Sequence, residues 1–414
     1  AEDGIRAQPR SRGLGDVYKR QIPTMVMFGS ISIRKSCPPD SLTRTGKKSI
    51  NSLEIKLNSE IIEKIEAPRS TSSLIGHQDA VDTMEMAISN NKLPHAWILT
   101  GPKGIGKSTF AWHFIKAIHT KGTFKSGAYE NVKKTEHIVN QIVAGSHPDC
   151  RLIRRINHPQ PPFRLRKDIS VEDIRVMTHF FKLTPTLSDW RTVIIDSADD
   201  MNQNAQNALL KVLEENPRKT LIILVCNSIN NLLTTVISRC LTLKLRPLSS
   251  KQVKDILREL HLNVPNKDLQ LLSTLSEGSP GNAINLIETN GLDLYKTLVE
   301  IVCNLPLLNE NLLHKTADSL STDSEELSYR TFTDLILWWF SRVIRLSVGK
   351  NCNEEAGISS DEMKIVDHIS SNDLDILLNA WNRINILLKR ADKVNLDRKQ
   401  VILNIFFELS KAAR

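Results

Sequence analysis

Two hydrophobic periods divide this chain. From Leu74 onward, short unbroken apolar runs alternate with amphipathic stretches of helical period. The runs are Ala96–Leu99, Thr192–Asp196 and Thr220–Cys226, each short enough for a buried strand, and a last strand is expected at Leu241–Leu245. Between them lie predicted helices: one with Ala80, Met84 and Ala87 on one face, one from Thr109 to Ile118, and one from Asn202 to Glu215 that stops before Pro217. Ser170 followed by Asp173 predicts a further helix start, with Ile174 and Met177 facing inward. Fully apolar strands separated by amphipathic helices predict an α/β domain whose parallel sheet is covered on both faces.

From Ser249 the pattern becomes helical. Ser249 and Gln252 form a capping box, and Val253, Ile256, Leu257 and Leu260 follow at helical spacing. A second helix is expected from Asp268 to Glu277, ending at Gly278, and a third from near Gly281. The last hundred residues carry no strand signal and two long amphipathic runs, Phe332–Leu346 and Leu374–Lys389, so an all-helical C-terminal domain is expected. Trp338, Trp339 and Phe340 read as its core, with an inter-subunit surface as the alternative. The polar stretch from Thr120 to Lys134 reads as a loop or variable insert.

Gly101-Pro102-Lys103-Gly104-Ile105-Gly106-Lys107-Ser108 sits between a predicted strand and a helix opened by Thr109. It is a complete G-x-x-x-x-G-K-S P-loop. Its glycines let backbone N–H groups close around phosphate oxygens, Lys107 reaches the β/γ-phosphates, and Ser108 is a Mg²⁺ ligand at a helix N-terminus. Such a site needs an acidic residue at the end of a neighbouring strand, and Asp196 stands there as the second Mg²⁺ ligand. Asn227, at the tip of the next strand, can reach the γ-phosphate region or orient a water; the alternative is a strand-end cap. Arg239, in Ser238-Arg239-Cys240, is either a surface arginine or one that projects into a neighbouring subunit.

Composition narrows the rest. A chain of 414 residues allows two or three domains. Six scattered cysteines without C-x-x-C spacing argue against a disulfide framework and a zinc site. Residues 1–50 hold ten Lys/Arg against four Asp/Glu, so only +3 of the net +9 belongs to 51–414. Global charge therefore gives little support for autonomous DNA binding. The arginines of 151–167 allow a phosphate-backbone contact, with a solvated connection as the alternative. No apolar run approaches the roughly 18 residues that span a bilayer. Residues 1–67 read as a disordered extension whose first 21 residues, starting at Ala1 and without period, read as non-native.

Together these features resemble the AAA+ clamp-loader subunits, most narrowly the delta-prime subunits of bacterial DNA polymerase III. The resemblance runs from about 70 to 414. It rests on Leu74–His77, Leu93–Ala96, the P-loop, His147–Asp149, Ile194–Asp199, Asn207–Glu215, Ser238–Cys240, Glu277–Gly281 and Asn395–Gln400. It implies a RecA-like nucleotide-binding domain over 68–245, a helical lid over 246–298 and a helical collar over 299–414 that assembles a five-subunit ring. The implied partners are motor subunits, a delta subunit, a sliding clamp and, through the complex, primer–template DNA, in the cytoplasm and without a membrane. The implied role is loading the clamp as a subunit of a DNA-directed DNA polymerase (nucleotidyltransferase) holoenzyme, with Arg239 acting on ATP held by a neighbour.

Two departures shape the expected activity. Active motors follow the strand-end aspartate with glutamate; here Ser197 stands there, too weak a base to polarise water. Their second sensor arginine aligns with Gly281. The expectation is passive or weak binding of ATP or ADP with Mg²⁺ and little hydrolysis. The four-cysteine zinc module of many clamp-loader subunits is absent from 118–149, so no zinc is expected. The alternatives are an autonomous AAA+ ATPase or a motor-type clamp-loader subunit, both opposed by Ser197 and Gly281. A small-molecule kinase explains neither Arg239 nor the helical C-terminal part.

Overall fold

The fold is a computed structural model, described here for residues 68–71, 73–90, 92–120, 133–157, 166–215, 219–260, 264–322, 326–348, 366–369 and 372–413. The expected 1–67 extension and most of the 120–134 insert lie outside these residues. The first part contains, in chain order, α1 (Gln78–Ser89), β1 (Ala96–Thr100), α2 (Lys107–Thr120), α3 (Lys133–Ala144), β2 (Cys150–Ile153), α4 (Val171–Lys182), β3 (Arg191–Asp196), α5 (Gln203–Glu215), β4 (Thr220–Cys226), the one-turn α6 (Thr234–Ile237) and β5 (Leu241–Lys244).

All five strands are parallel, in the order β2-β3-β4-β1-β5. The period-2 alternation of the strands feeds two apolar layers. Trp97, Leu99, Leu221, Ile223 and Val225 point to one layer, with Phe110, Phe114 and Met84 from α2 and α1. Ala96, Ile98, Ile222, Leu224 and Cys226 point to the other, with Met177, Leu209 and Val236 from α4, α5 and α6. The sheet is therefore an α/β sandwich covered on both faces.

β2 is absent from the strands the pattern predicts. It is an edge strand with no fully buried residue, and charged Arg151 lies in its middle. Helix α3 also went unread, because its face toward the sheet buries little beyond Ile142. Three of the four described arginines of 151–167 find acidic or aromatic partners within the chain: Arg155 pairs with Asp200 at 2.9 Å, Arg166 lies 3.9 Å from Asp173, and Arg151 stacks over Phe180.

The helical part contains α7 (Ser250–Glu259), α8 (Asn266–Leu275), α9 (Pro280–Glu288), α10 (Gly291–Val302), α11 (Glu310–Leu320), α12 (Glu326–Ser347), α13 (Leu374–Val394) and α14 (Arg398–Ala412). The capping box closes α7 as expected: Ser249 Oγ accepts from Gln252 N, and Gln252 Oε1 accepts from Ser249 N. One continuous cluster of buried side chains runs from Leu248 to Ala413. Trp339 and Phe340 lie inside it, while Trp338 is half-buried against Tyr295. The Asn395–Gln400 tail is structural. Asn395 ends α13 in the left-handed conformation, Asp397 caps α14, and Arg398 donates to Thr322 O and stacks over Tyr329. Among the described residues no helix is long and apolar enough to cross a membrane.

A buried polar knot joins α2, β2 and the turn before β3. Asp149 accepts from the backbone N–H groups of Thr186, Leu187 and Ser188 at 2.7–3.1 Å, and faces Arg191 at 3.6 Å. Burial alone would raise its pKa; the three N–H groups and Arg191 together bring it below the usual value. His119 bonds Ser188 and Thr192, and burial, assisted by His147, lowers its pKa to about 4. Burial beside Lys116 lowers His113 to about 4 as well.

Both histidines fold neutral, whereas the unfolded chain takes up their protons from about pH 6.5 downward. The two histidines' contribution to unfolding stability should be level above pH 6.5 and fall from there to pH 4, by up to about 3 kcal/mol per histidine. Asp149 adds a further loss below pH 3.8, its unfolded value. Urea midpoints at pH 7.5 and pH 5 check this; equal midpoints would contradict it.

Candidate functional site

The carboxyl ends of β1, β3 and β4 lie on one edge of the sheet, and the sequence-predicted residues follow from them in turn. β1 leads into the P-loop, β3 ends on Asp196, and β4 leads into Asn227. Open parallel sheets bind ligands at this edge. Gly101 and Gly104 have positive φ, 155° and 77°. A Cβ on Gly101 would stand 2.5 Å from Leu245 O, so the turn out of β1 admits only glycine.

Lys107, the first residue of α2, is 6% exposed. Its ammonium donates to Gly101 O at 2.8 Å, Pro102 O at 2.6 Å and Asn227 Oδ1 at 2.8 Å. Three donors thus meet three oxygens. Burial lowers the Lys107 pKa, against the raising influence of Cys226, Asp199 and Asp196. Ser108 Oγ donates to Asp196 Oδ1 at 3.0 Å. The structure therefore brings together Lys107, Ser108, Asp196 and Asn227, four of the predicted site residues. One hydroxyl and one carboxylate form a donor set that suits Mg²⁺, which takes one or two protein oxygens and fills the rest with phosphate and water.

The P-loop borders a cavity of about 690 Å³, the size of a small-molecule site. Lys103 to Thr109, Asp196, Ser197 and Asn227 line it. Leu74, Ile75, Leu248, Ile256 and Ile284 add apolar lining, enough to shelter a planar ring. Ser197, at φ 62°, lines the cavity where a general base would be needed.

Three residues without a role in the sequence reading also hold the site. His77, itself left-handed at φ 58°, places Nε2 2.8 Å from Ile105 O. The carbonyl can only accept, so Nε2 carries the proton. Asp199 Oδ2 accepts from Asn227 N at 3.1 Å, while its Oδ1 is buried without a partner. Ser279 Oγ donates to Lys103 O at 2.8 Å across 176 residues of sequence. His77 and Asp199 stood inside recognisable motifs, yet nothing in the spacing pointed either at the loop.

Arg239 lies elsewhere. It follows α6 and precedes β5, whose first residue Leu241 pairs with Trp97 at the start of β1. Four residues of strand separate that point from Gly101, about 13 Å along the sheet. The guanidinium donates to Thr235 O at 3.0 Å and pairs with Glu214 at 2.9 Å, its side chain 38% exposed. Glu214 belongs to α5, which also holds the segment before α6 through Gln206, bonded to Asn231 O and Leu233 N. This contact links the Asn207–Glu215 and Ser238–Cys240 segments in space. Cys240 is no nucleophile: burial pushes its thiol up to about 12.

The family described as DNA polymerase III, delta subunit matches residues 76–249. DNA polymerase III subunit gamma of Buchnera aphidicola is 28% identical over 236 residues, 56% of this chain and 61% of that protein. DNA polymerase III subunit delta' of Pseudomonas aeruginosa is 32% identical over 193 residues, 46% of this chain and 55% of that protein. Replication factor C subunit 5 of Mus musculus is 26% identical over 239 residues, 57% of this chain and 61% of that protein. The chain thus spans between half and two thirds of the length of these relatives.

The Arg239–Glu214 pair is solvent-facing, so it should contribute little to the fold. Arg239→Ala and Glu214→Ala should each change the unfolding free energy by less than about 1 kcal/mol in urea titrations. A loss of several kcal/mol would make Arg239 a structural residue.

Proposed function

We propose that residues 76–249, which match the family described as DNA polymerase III, delta subunit, form a clamp-loader domain, and that the chain is a non-motor subunit of a clamp-loading ring. Its nearest functional counterpart is the delta-prime subunit. It binds ATP or ADP with Mg²⁺ passively and lends Arg239 to the nucleotide of a neighbouring motor subunit. The observation that carries this reading is the separation of Arg239 from its own P-loop. An arginine presented on the opposite edge of the sheet, exposed and held by Glu214, serves a phosphate outside the chain better than its own.

In its own site the P-loop backbone and Lys107 would hold the phosphates, and Ser108 with Asp196 would hold Mg²⁺. The apolar lining of the cavity would hold the base. Bound Mg²⁺ would supply charge neutralisation between the phosphates. Asn227, fixed by Asp199, is placed to orient a water, but Ser197 cannot take its proton. Without a base at 197, the site binds better than it turns over. The parts then divide as 68–245 for nucleotide, 246–298 as lid and 299–414 as collar toward the motor and delta subunits, the clamp and primed DNA being met by the ring.

In a ring reconstituted with motor and delta subunits, clamp and primed DNA, Arg239→Ala should leave assembly intact and lower steady-state ATP turnover. At the one interface it serves, the loss should be of the order of 10³. Unchanged turnover by a fully assembled ring would refute the finger assignment.

A further inference from the structure

Each carbonyl from Gly101 to Ile105 accepts a hydrogen bond from a named group. Gly101 O and Pro102 O accept from Lys107 Nζ, Lys103 O from Ser279 Oγ, Gly104 O from Gly281 N at 2.9 Å, and Ile105 O from His77 Nε2. These bonds engage only carbonyls, and so leave the loop's N–H groups to other partners. Two of them come from the start of α9. The first N–H groups of a helix have no partner within it. Pro280 has none to offer, Asn282 N donates to Ser279 Oγ, and Gly281 N donates to the P-loop.

The approach is glycine against glycine. A Cβ on Gly281 would stand 2.8 Å from Gly104 Cα and 3.0 Å from Gly104 O, and a Cβ on Gly104 would stand 2.5 Å from Ser279 Oγ. No side chain at either position is compatible with this contact. Gly278, at φ 77°, makes the turn that delivers the segment, and its carbonyl accepts from Leu248 N.

We propose that Ser279 and Gly281 are positioning residues of the phosphate cradle: they latch α9 onto the P-loop and hold it in binding shape, whether or not nucleotide is bound. This deepens the nucleotide-binding reading above and rests on it only for the identity of the ligand. The start of α9 is fastened to the loop by the chain's own groups. Ordering of the cradle is then complete before a phosphate arrives, and binding produces no lid movement.

Gly281→Ala separates the latch from general helix stability. Alanine favours a helix over glycine, so α9 itself should not be weakened while the new Cβ drives Gly104 away. Amide exchange at position 281 and along 282–288 is measured in the full chain and in the variant, with and without ADP and Mg²⁺, alongside ADP titration calorimetry. The native Gly281 amide should be protected equally in both conditions. The variant should lose that protection and bind ADP about tenfold more weakly, with α9 responding to nucleotide. Native protection that appears only with ADP overturns the latch, as does a variant that keeps its protection. If the native chain binds no ADP while the exchange results hold, the latch stands and the nucleotide reading falls.

Discussion

The ammonium of Lys107 is the point on which the site depends. It is buried at the start of α2, where an unpaired charge would be costly, and it is satisfied only because the tips of β1 and β4 converge on it. Gly101 O and Pro102 O bring the turn out of β1 to it, and Asn227 brings the end of β4. β1 must therefore lie beside β4, as its full parallel register does. Asn227 is fixed in turn through its amide by Asp199, and Ser108 by Asp196, so the end of β3 joins the same network. Sheet order and site geometry are one constraint seen at two scales.

Much of this was legible beforehand, for definable reasons. Strands buried on both faces announce themselves as unbroken apolar runs, and β1, β3 and β4 were read within a residue at each end. β2 was missed because an edge strand with a central arginine carries no such run. The P-loop, Asp196 and Asn227 followed from local motif and strand ends. His77 and Ser279 did not, because each acts on the P-loop through one hydrogen bond from a distant segment, and hydrogen bonds leave no period in a sequence. Gly281 was read as the loss of an arginine; in the structure its missing side chain is what permits the close approach of α9 to the loop at Gly104.

Several residues that carried the resemblance do scaffold work. His95 reaches Leu213 O at 3.1 Å, tying the entry of β1 to the end of α5. Asp149 gathers the turn before β3, and Arg398 fastens α14 to the start of α12. Glu214 holds Arg239. Sorting them this way leaves a short list of groups free for chemistry, and they fall on two edges of the sheet: a cradle without a base on one, an exposed arginine on the other. That asymmetry is the geometry on which the proposed role rests, a subunit that holds one nucleotide and acts on another.

Steady-state ATP turnover tests this account most directly, measured for the chain alone and after adding it to motor and delta subunits with clamp and primed DNA. The account predicts negligible turnover alone and a rise in the mixture when the chain is present. Robust turnover by the isolated chain would contradict it and make this a motor.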